Sequence, residues 1–187
     1  MDLRISIVFT SLLCSVCAFG NEREAPSKPA AATTEVIVPG SAVLNQLVGT
    51  WDVRYEIFDK DGSVRRYHGQ VHYSWILEGK ALQEIWTSDS EDSDPRPYGT
   101  TINFYDPKHQ RWTAVWIYPA QGQTTVVTGG DVNGRYVLTG HDESGALQRW
   151  STGVEGSDSI VGRFDISDDD GKTWRAVGVN HMQRHRG

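Results

Sequence analysis

Glu84 is the residue of this sequence whose surroundings best suit acid–base chemistry. Alternation of apolar and polar residues around it places its side chain on one strand face together with Leu82 and Trp86. A carboxylate between two large apolar neighbours loses hydration, which raises its pKa and suits it to proton transfer. The alternative, which we prefer from the sequence, is a buried ion pair with an inward arginine, Arg163 or Arg184.

Aromatic residues form a second feature, because several of them share the strand faces that alternation assigns to the interior. In segment 111–118, Trp112, Ala114, Trp116 and Tyr118 lie on one face. Rings with a few hydroxyl groups suit a flat or hydrophobic ligand, although core packing explains the same stripe. The predicted ligand-binding residues are Tyr55, Tyr67, Tyr73, Glu84, Trp86, Trp116 and Tyr118.

Segment 167–174 reads Ser-Asp-Asp-Asp-Gly-Lys-Thr-Trp and matches the Asp-box, Ser-x-Asp-x-Gly-x-Thr-Trp, at every defined position. In sialidases this motif recurs once per propeller blade as a rigid hairpin turn far from the chemistry; here it occurs once. We interpret it as a structural turn in which Asp169 caps backbone N–H groups, Gly171 takes a positive φ and Trp174 packs beneath. A calcium loop is disfavoured, because the glutamate that an EF-hand needs is missing.

Strands must position these residues, since the chain after Trp51 divides into segments of about six to twelve residues separated by turn signals. We predict ten antiparallel strands in up-and-down order, closed into a barrel because an open sheet would expose two edges. Ten strands enclose more space than their side chains fill, so we expect an interior cavity. A short helix over residues 42–47, with Ser41 as its N-cap, is predicted to lid one end.

Two further boundaries follow from local signals. Acidic residues and two prolines predict a long loop over residues 88–97. The last strand is predicted over residues 173–182, where alternation places Trp174, Ala176 and Met182 on the inner face. Arg175 and His181 then belong to the outer face.

The segment 47–51, Leu-Val-Gly-Thr-Trp, resembles the start of the first strand in lipocalin and fatty-acid-binding barrels, the calycin superfamily. The resemblance covers about residues 42–184 and is nearest to small exported lipocalin-like proteins of bacteria. It implies that Gly49 permits a close backbone approach, that Trp51 plugs the closed end of the barrel, and that Arg184 stacks over Trp51.

The same resemblance bears on cofactors. Nitrobindin-like barrels, which also have ten strands, ligate haem through a histidine near their carboxy end, and His181 is the matching candidate here. Because alternation places His181 on the outer face, we predict neither a metal nor a cofactor.

Composition and charge restrict the partners. The chain has 187 residues and a formal net charge of −6, which gives no reason to expect nucleic acid. Residues 21–40, rich in Ala, Pro, Glu and Thr, are predicted to form a flexible linker, and residues 41–187 the lipocalin-like barrel domain.

Residues 1–20 are predicted to be a signal peptide. Arg4 precedes a mainly apolar run that is short for a membrane span, and Ala18-Phe19-Gly20 resembles a signal-peptidase site. Cys14 and Cys17 both fall within this leader, so the mature protein is predicted to lack disulfides. We therefore expect a periplasmic or secreted protein without stable membrane insertion.

Three functions fit these observations. The first is a barrel that binds a small hydrophobic or aromatic molecule in its interior, and fold analogy favours it. The second is a cofactor-free isomerase, cyclase or hydrolase that uses Glu84 with Tyr55 or Tyr118. The third is a scaffold whose barrel is filled by its own side chains. An open cavity with a lone carboxylate would favour the enzyme, and a filled interior the scaffold.

Overall fold

The computed structural model of the protein describes residues 38–90 and 93–187. The predicted signal peptide and residues 21–37 of the predicted linker lie outside the described residues. Among the residues described, no helix is long and apolar enough to cross a membrane. The elements are helix α1 (Ser41–Leu47) and strands β1 (Gly49–Phe58), β2 (Val64–Ile76), β3 (Ala81–Ser90), β4 (Ser93–Asp106), β5 (Arg111–Tyr118), β6 (Gln123–Val132), β7 (Arg135–His141), β8 (Leu147–Gly156), β9 (Ser159–Ser167) and β10 (Arg175–Arg184).

The ten strands form one closed barrel in which each strand pairs antiparallel with its neighbours in sequence. The barrel closes where β1 pairs with β10, in a register that sets Trp51 opposite Arg184. Closure leaves no free sheet edge, so each strand has a neighbour on both sides with which to pair its backbone groups. The prediction of a ten-stranded up-and-down barrel with a short preceding helix is confirmed.

Helix α1 closes one end of the barrel. It buries Val43, Leu44 and Leu47 against the core, and the fully buried Trp51 donates its indole N–H to the carbonyl of Leu47 at 2.6 Å. The prediction that Ser41 caps this helix is wrong. The cap position is Gly40, and Ser41 is a buried residue of the first turn whose Oγ accepts a hydrogen bond from the Val38 amide.

The Trp51 plug is covered by the last strand. The guanidinium of Arg184 lies 4.1 Å from the centre of the Trp51 ring and donates a hydrogen bond to the carbonyl of Val48. Gly49, which has a φ of 121°, lies against this guanidinium, and a Cβ there would approach Arg184 Nη1 to 2.9 Å. The close approach of Gly49 and the stacking over Trp51 thus belong to one arrangement.

The predicted loop over residues 88–97 is wrong, because β3 and β4 continue through most of it. Thr87 pairs with Pro97, and Ser90 pairs with Ser93. The register shifts between Trp86 and Thr87, beside the Pro97 pairing. A proline lacks the N–H that a regular ladder needs, and a bulge is where a sheet tolerates it.

The inner face predicted for the last strand is also wrong at its first residues. The pairing of β10 with β9 shifts register between Ala176 and Gly178, so one extra residue enters the strand there. A bulge moves the alternation by one position. Arg175 and Val177 therefore line the interior, whereas Ala176 does not, and β10 begins at Arg175.

The Asp-box segment is the hairpin that joins β9 to β10. Asp169 accepts hydrogen bonds from the backbone N–H and the hydroxyl of Thr173, at 2.8 and 2.7 Å. Gly171 has a φ of 84° and donates its N–H to the hydroxyl of Ser167. The Trp174 indole donates to the carbonyl of Gly171, and its ring packs 4.2 Å from the guanidinium of Arg149.

Candidate functional site

The barrel encloses a cavity of about 610 Å³. Its mouth lies at the end opposite α1, beside the β1–β2 hairpin, where Phe58 and Lys60 belong to the lining together with Ile166 and Arg175. At the inner end the lining is mainly polar. Its residues there are Glu84, Thr101, Asn103, Tyr136, Leu138 and Met182.

Aromatic rings form most of the wall between the mouth and the inner end. The rings of Tyr55 and Tyr73 lie 5.7 and 6.4 Å from that of Trp86, and the rings of Tyr98 and Trp116 lie 6.1 Å apart. These separations are typical of favourable edge and offset contacts between rings. The aromatic lining residues are Tyr55, Phe58, Tyr73, Trp86, Tyr98, Trp116, Tyr136, Trp150 and Phe164.

Most of the predicted ligand-binding residues share this cavity, namely Tyr55, Tyr73, Glu84, Trp86 and Trp116. Tyr67 and Tyr118 are not among the residues that line it. Tyr67 pairs with Tyr55 on β1 but precedes the residues of β2 that pair with β3, and it is 45% exposed and accepts a hydrogen bond from Arg65. Tyr118 packs its ring behind those of Tyr98 and Trp116.

Strand β4 carries residues of the site that alternation alone did not assign. Its inner face holds Thr101 and Asn103, both buried, and its outer face holds Ile102 and Phe104, the latter 38% exposed. The usual rule that apolar residues face inward would have assigned Ile102 and Phe104 to the interior and Thr101 and Asn103 to the outer face, the opposite of what the structure shows. A polar inner face in a barrel strand indicates a polar site inside the barrel. The alternation of polar Thr101 and Asn103 with apolar Ile102 and Phe104 is therefore the signal in the sequence that could have located this site.

The Glu84 carboxyl group is held by neutral donors. Its Oε1 accepts a hydrogen bond from Nδ2 of Asn103 at 2.8 Å, and its Oε2 accepts one from the indole N–H of Trp86 at 3.0 Å. The Thr101 hydroxyl is a third hydrogen-bond partner, and Asn103 is itself fixed by the hydroxyl of Tyr136 at 3.2 Å. Burial raises the pKa of Glu84, although these three hydrogen bonds act in the opposite direction.

The ion pair that we preferred from the sequence is wrong. Arg163 donates to the buried carboxylate of Asp165 at 2.6 Å, and Arg149 donates to the same carboxylate at 2.8 Å. Arg184 is occupied at the closed end over Trp51. The alternation of side chains along β9 explains why Arg163 does not reach Glu84. Arg163 and Asp165, two residues apart, lie on the same face of the strand, and Arg163 pairs with Asp165 there. Glu84 is instead a desolvated carboxyl group between apolar neighbours, the other of the two interpretations drawn from the sequence.

His181 does not reach the cavity, since it is absent from the lining while its neighbours Asn180 and Met182 belong to it. Within the described part of the chain, no group of three His, Cys, Asp or Glu side chains is arranged to hold a metal ion. The geometry therefore offers no support for a haem ligated by His181.

Two tyrosine hydroxyls meet nearer the mouth. Tyr55 and Tyr98 lie with their oxygens 3.0 Å apart, and burial raises the pKa of both phenols. Both are therefore neutral at physiological pH and serve as hydrogen-bond donors or acceptors. The site thus combines an apolar aromatic wall, neutral hydroxyl groups and one carboxyl group.

Comparison with solved structures supports the fold class. The S-type phycobiliprotein lyase CPES from Guillardia theta has a TM-score of 0.55 and 10% identity, covering 76% of this chain and 90% of that one. Rv2717c from M. tuberculosis has a TM-score of 0.57 and 16% identity, covering 80% of this chain and 99% of that one. At such identities the likeness concerns the fold alone, a closed antiparallel barrel of ten strands. No protein-family model and no curated protein matches the sequence.

Proposed function

We propose that the protein binds a small hydrophobic or aromatic molecule inside its barrel. The observation that carries the proposal is the cavity of about 610 Å³, walled by aromatic rings and furnished with a few polar groups at its inner end. Ligand pockets in proteins have this size and this mixture of apolar wall and placed polar atoms. A scaffold filled by its own side chains would leave no such space.

Export is part of the proposal, and it rests on the leader sequence. We expect the mature protein to begin at Asn21 and to contain no disulfide, because Ala18-Phe19-Gly20 precedes that residue and both cysteines lie upstream. Amino-terminal sequencing of protein recovered from outside the cytoplasm checks this. A lipid-modified Cys17 at the terminus would refute it.

A second candidate function is a cofactor-free isomerase, cyclase or hydrolase. The observation that favours it is the desolvated carboxyl group of Glu84 facing the open cavity, the arrangement expected of an enzyme, since a raised pKa suits proton transfer. It ranks second because, among the described residues, the hydrogen-bond partners of this carboxyl group are Asn103, Trp86 and Thr101, none of which is an acid or base that could complete a catalytic pair. Tyr55 is then the phenol that would assist, because Tyr118 does not line the cavity. Native mass spectrometry of protein purified from its own source separates the two: a bound molecule retained unchanged supports binding, and its conversion supports catalysis.

The binding proposal is tested with a neutral polarity-sensitive dye, Nile red. We expect saturable binding with quenching of tryptophan fluorescence, because Trp86, Trp116 and Trp150 line the cavity. A Gly162→Leu variant should weaken this binding about tenfold or more. Gly162 lines the cavity, and a Cβ there makes only ordinary contacts of 3.4 Å or more, so the wall accepts the first atom of the new side chain and the rest of it occupies space in the cavity.

The matched control is Val161→Leu, which adds a methylene group at the neighbouring residue of the same strand. Val161 is not part of the lining, and its side chain belongs to the outer face of β9. Its affinity for the dye should equal that of the wild type. Equal binding by all three proteins would place the dye outside the barrel and would remove the support for an interior site.

A further inference from the structure

Glu84 lacks a cationic partner. Within the described residues, its hydrogen bonds come from Asn103, Trp86 and Thr101, all neutral, and no ion pair involves it. Lys60 and Arg175 line the cavity towards its mouth, and Arg163, whose side chain shares the outer face of β9 with Val161, is paired with Asp165. A buried carboxylate without a compensating charge is costly, so the charged form of Glu84 calls for a cation that the described residues do not supply.

The carboxyl group still has capacity for such a partner. An ionised carboxylate offers about four acceptor positions, and the donors of Asn103, Trp86 and Thr101 use three of them. Glu84 belongs to the cavity lining and is partly accessible. The remaining position is therefore available to a group that enters from the cavity.

Aromatic rings surround the same place. Tyr55 and Tyr73 both pack against Trp86, whose indole N–H binds the Glu84 carboxylate. The faces of such rings carry negative electrostatic potential and attract cations, more strongly where water is excluded. A carboxylate beside three aromatic rings is the environment that proteins use to hold an organic ammonium group.

We propose that the cavity takes a ligand that carries a protonated amine, with the ammonium group paired to Glu84 and surrounded by Tyr55, Tyr73 and Trp86. The apolar remainder of the ligand lies along the aromatic wall towards the mouth. This inference rests on the proposed binding function and names the class of ligand: an arylalkyl or similarly hydrophobic amine.

The pH dependence follows from the groups that face Glu84. They are Tyr55 from β1, Tyr73 from β2 and Tyr136 from β7, besides the neutral side chains on β3 and β4. Burial raises the pKa of each of these tyrosines, so they stay neutral below pH 9. Glu84 pairs with an ammonium only when ionised, and its pKa is raised. Amine affinity must therefore fall as the pH is lowered through that pKa, whereas affinity for a neutral analogue stays constant.

The experiment compares three probes that differ in one group: 1-naphthylmethylamine, 1-naphthalenemethanol and 1-naphthoic acid. Calorimetric titration of the wild type at pH 7.5 should give an affinity for the amine about tenfold or more above that for the alcohol. The acid should bind more weakly than the alcohol. As the pH is lowered from 7.5 through the raised pKa of Glu84, down to the lowest pH at which the protein stays folded, the ratio of amine to alcohol affinity should decline.

Two variants locate the effect. Glu84→Gln should bind the alcohol and remove the preference for the amine, whereas Glu155→Gln, with the same change in net charge at an exposed residue of β8, should keep it. If Glu84→Gln does not fold, the pH series on the wild type remains decisive. Equal affinities for amine and alcohol, or a ratio that does not change with pH, would overturn the inference while Nile red binding still supported the proposed function. Failure of Nile red to bind would instead refute the proposed function itself.

Discussion

Replacing Trp51 by alanine should lower the free energy of unfolding by about 3–5 kcal/mol, the loss typical of truncating a fully buried tryptophan. Trp51 has no exposed surface, and its indole N–H satisfies the Leu47 carbonyl at the end of α1. Its removal therefore leaves a cavity, an unsatisfied carbonyl and an unsupported guanidinium at Arg184. The measurement is a urea melt followed by far-ultraviolet circular dichroism.

Two milder variants separate these contributions. Trp51→Phe keeps most of the packed volume and loses the hydrogen bond to Leu47, and Arg184→Met keeps an unbranched side chain over the ring and loses its charge. Both should cost clearly less than Trp51→Ala. A loss below about 1 kcal/mol for the alanine variant would show that Trp51 does not organise the closed end.

Gly69→Ala should lower the free energy of unfolding by about 3 kcal/mol, although it adds a single methyl group. A Cβ at Gly69 would lie 2.1 Å from the carbonyl oxygen of Thr87, a backbone atom that cannot rotate away. Strands β2 and β3 would have to separate beside the bulge at Thr87. The effect would be measured in the same urea melts.

The control for Gly69→Ala is Gly162→Ala, another glycine inside a strand. A Cβ at Gly162 meets nothing nearer than 3.4 Å, so the same chemical change should alter the free energy of unfolding by less than about 1 kcal/mol. Equal effects at the two positions would mean that loss of a glycine from a strand, and not the clash with Thr87, determines the cost.

The fold was predictable because alternation in β1 and the spacing of turns are local properties of the sequence. Bulges are not local in this sense. The extra residue between Ala176 and Gly178 is fixed by pairing with β9. Glycine is common at bulges, but Gly162 lies in regular pairing, so the presence of Gly178 does not by itself identify the bulge. The same holds near Pro97, where a proline that usually indicates a loop is accommodated beside a register shift.

The candidate site was predictable in its aromatic wall and in Glu84, since both lie on strands whose apolar residues face inward. Two of the three hydrogen-bond partners of Glu84, Thr101 and Asn103, were not predictable, because they occupy the inner face of a strand whose Ile102 and Phe104 face outward. Opposite charges favoured an ion pair between Glu84 and Arg163, but the partner of an arginine depends on the strand face to which its side chain belongs. Arg163 lies on the same face of β9 as Asp165 and pairs with it.

The closure of the barrel has a consequence for the entropy of folding. Nine of the ten strand pairings join consecutive strands and close short loops, whereas the pairing of β1 with β10 joins the two ends of the domain. The entropy lost on closing a loop grows with the logarithm of its length, so this one seam carries the largest closure cost of any pairing. Trp51 and Arg184 lie opposite each other on that seam. The stacking of Arg184 on Trp51 thus stabilises the pairing whose formation is entropically most expensive.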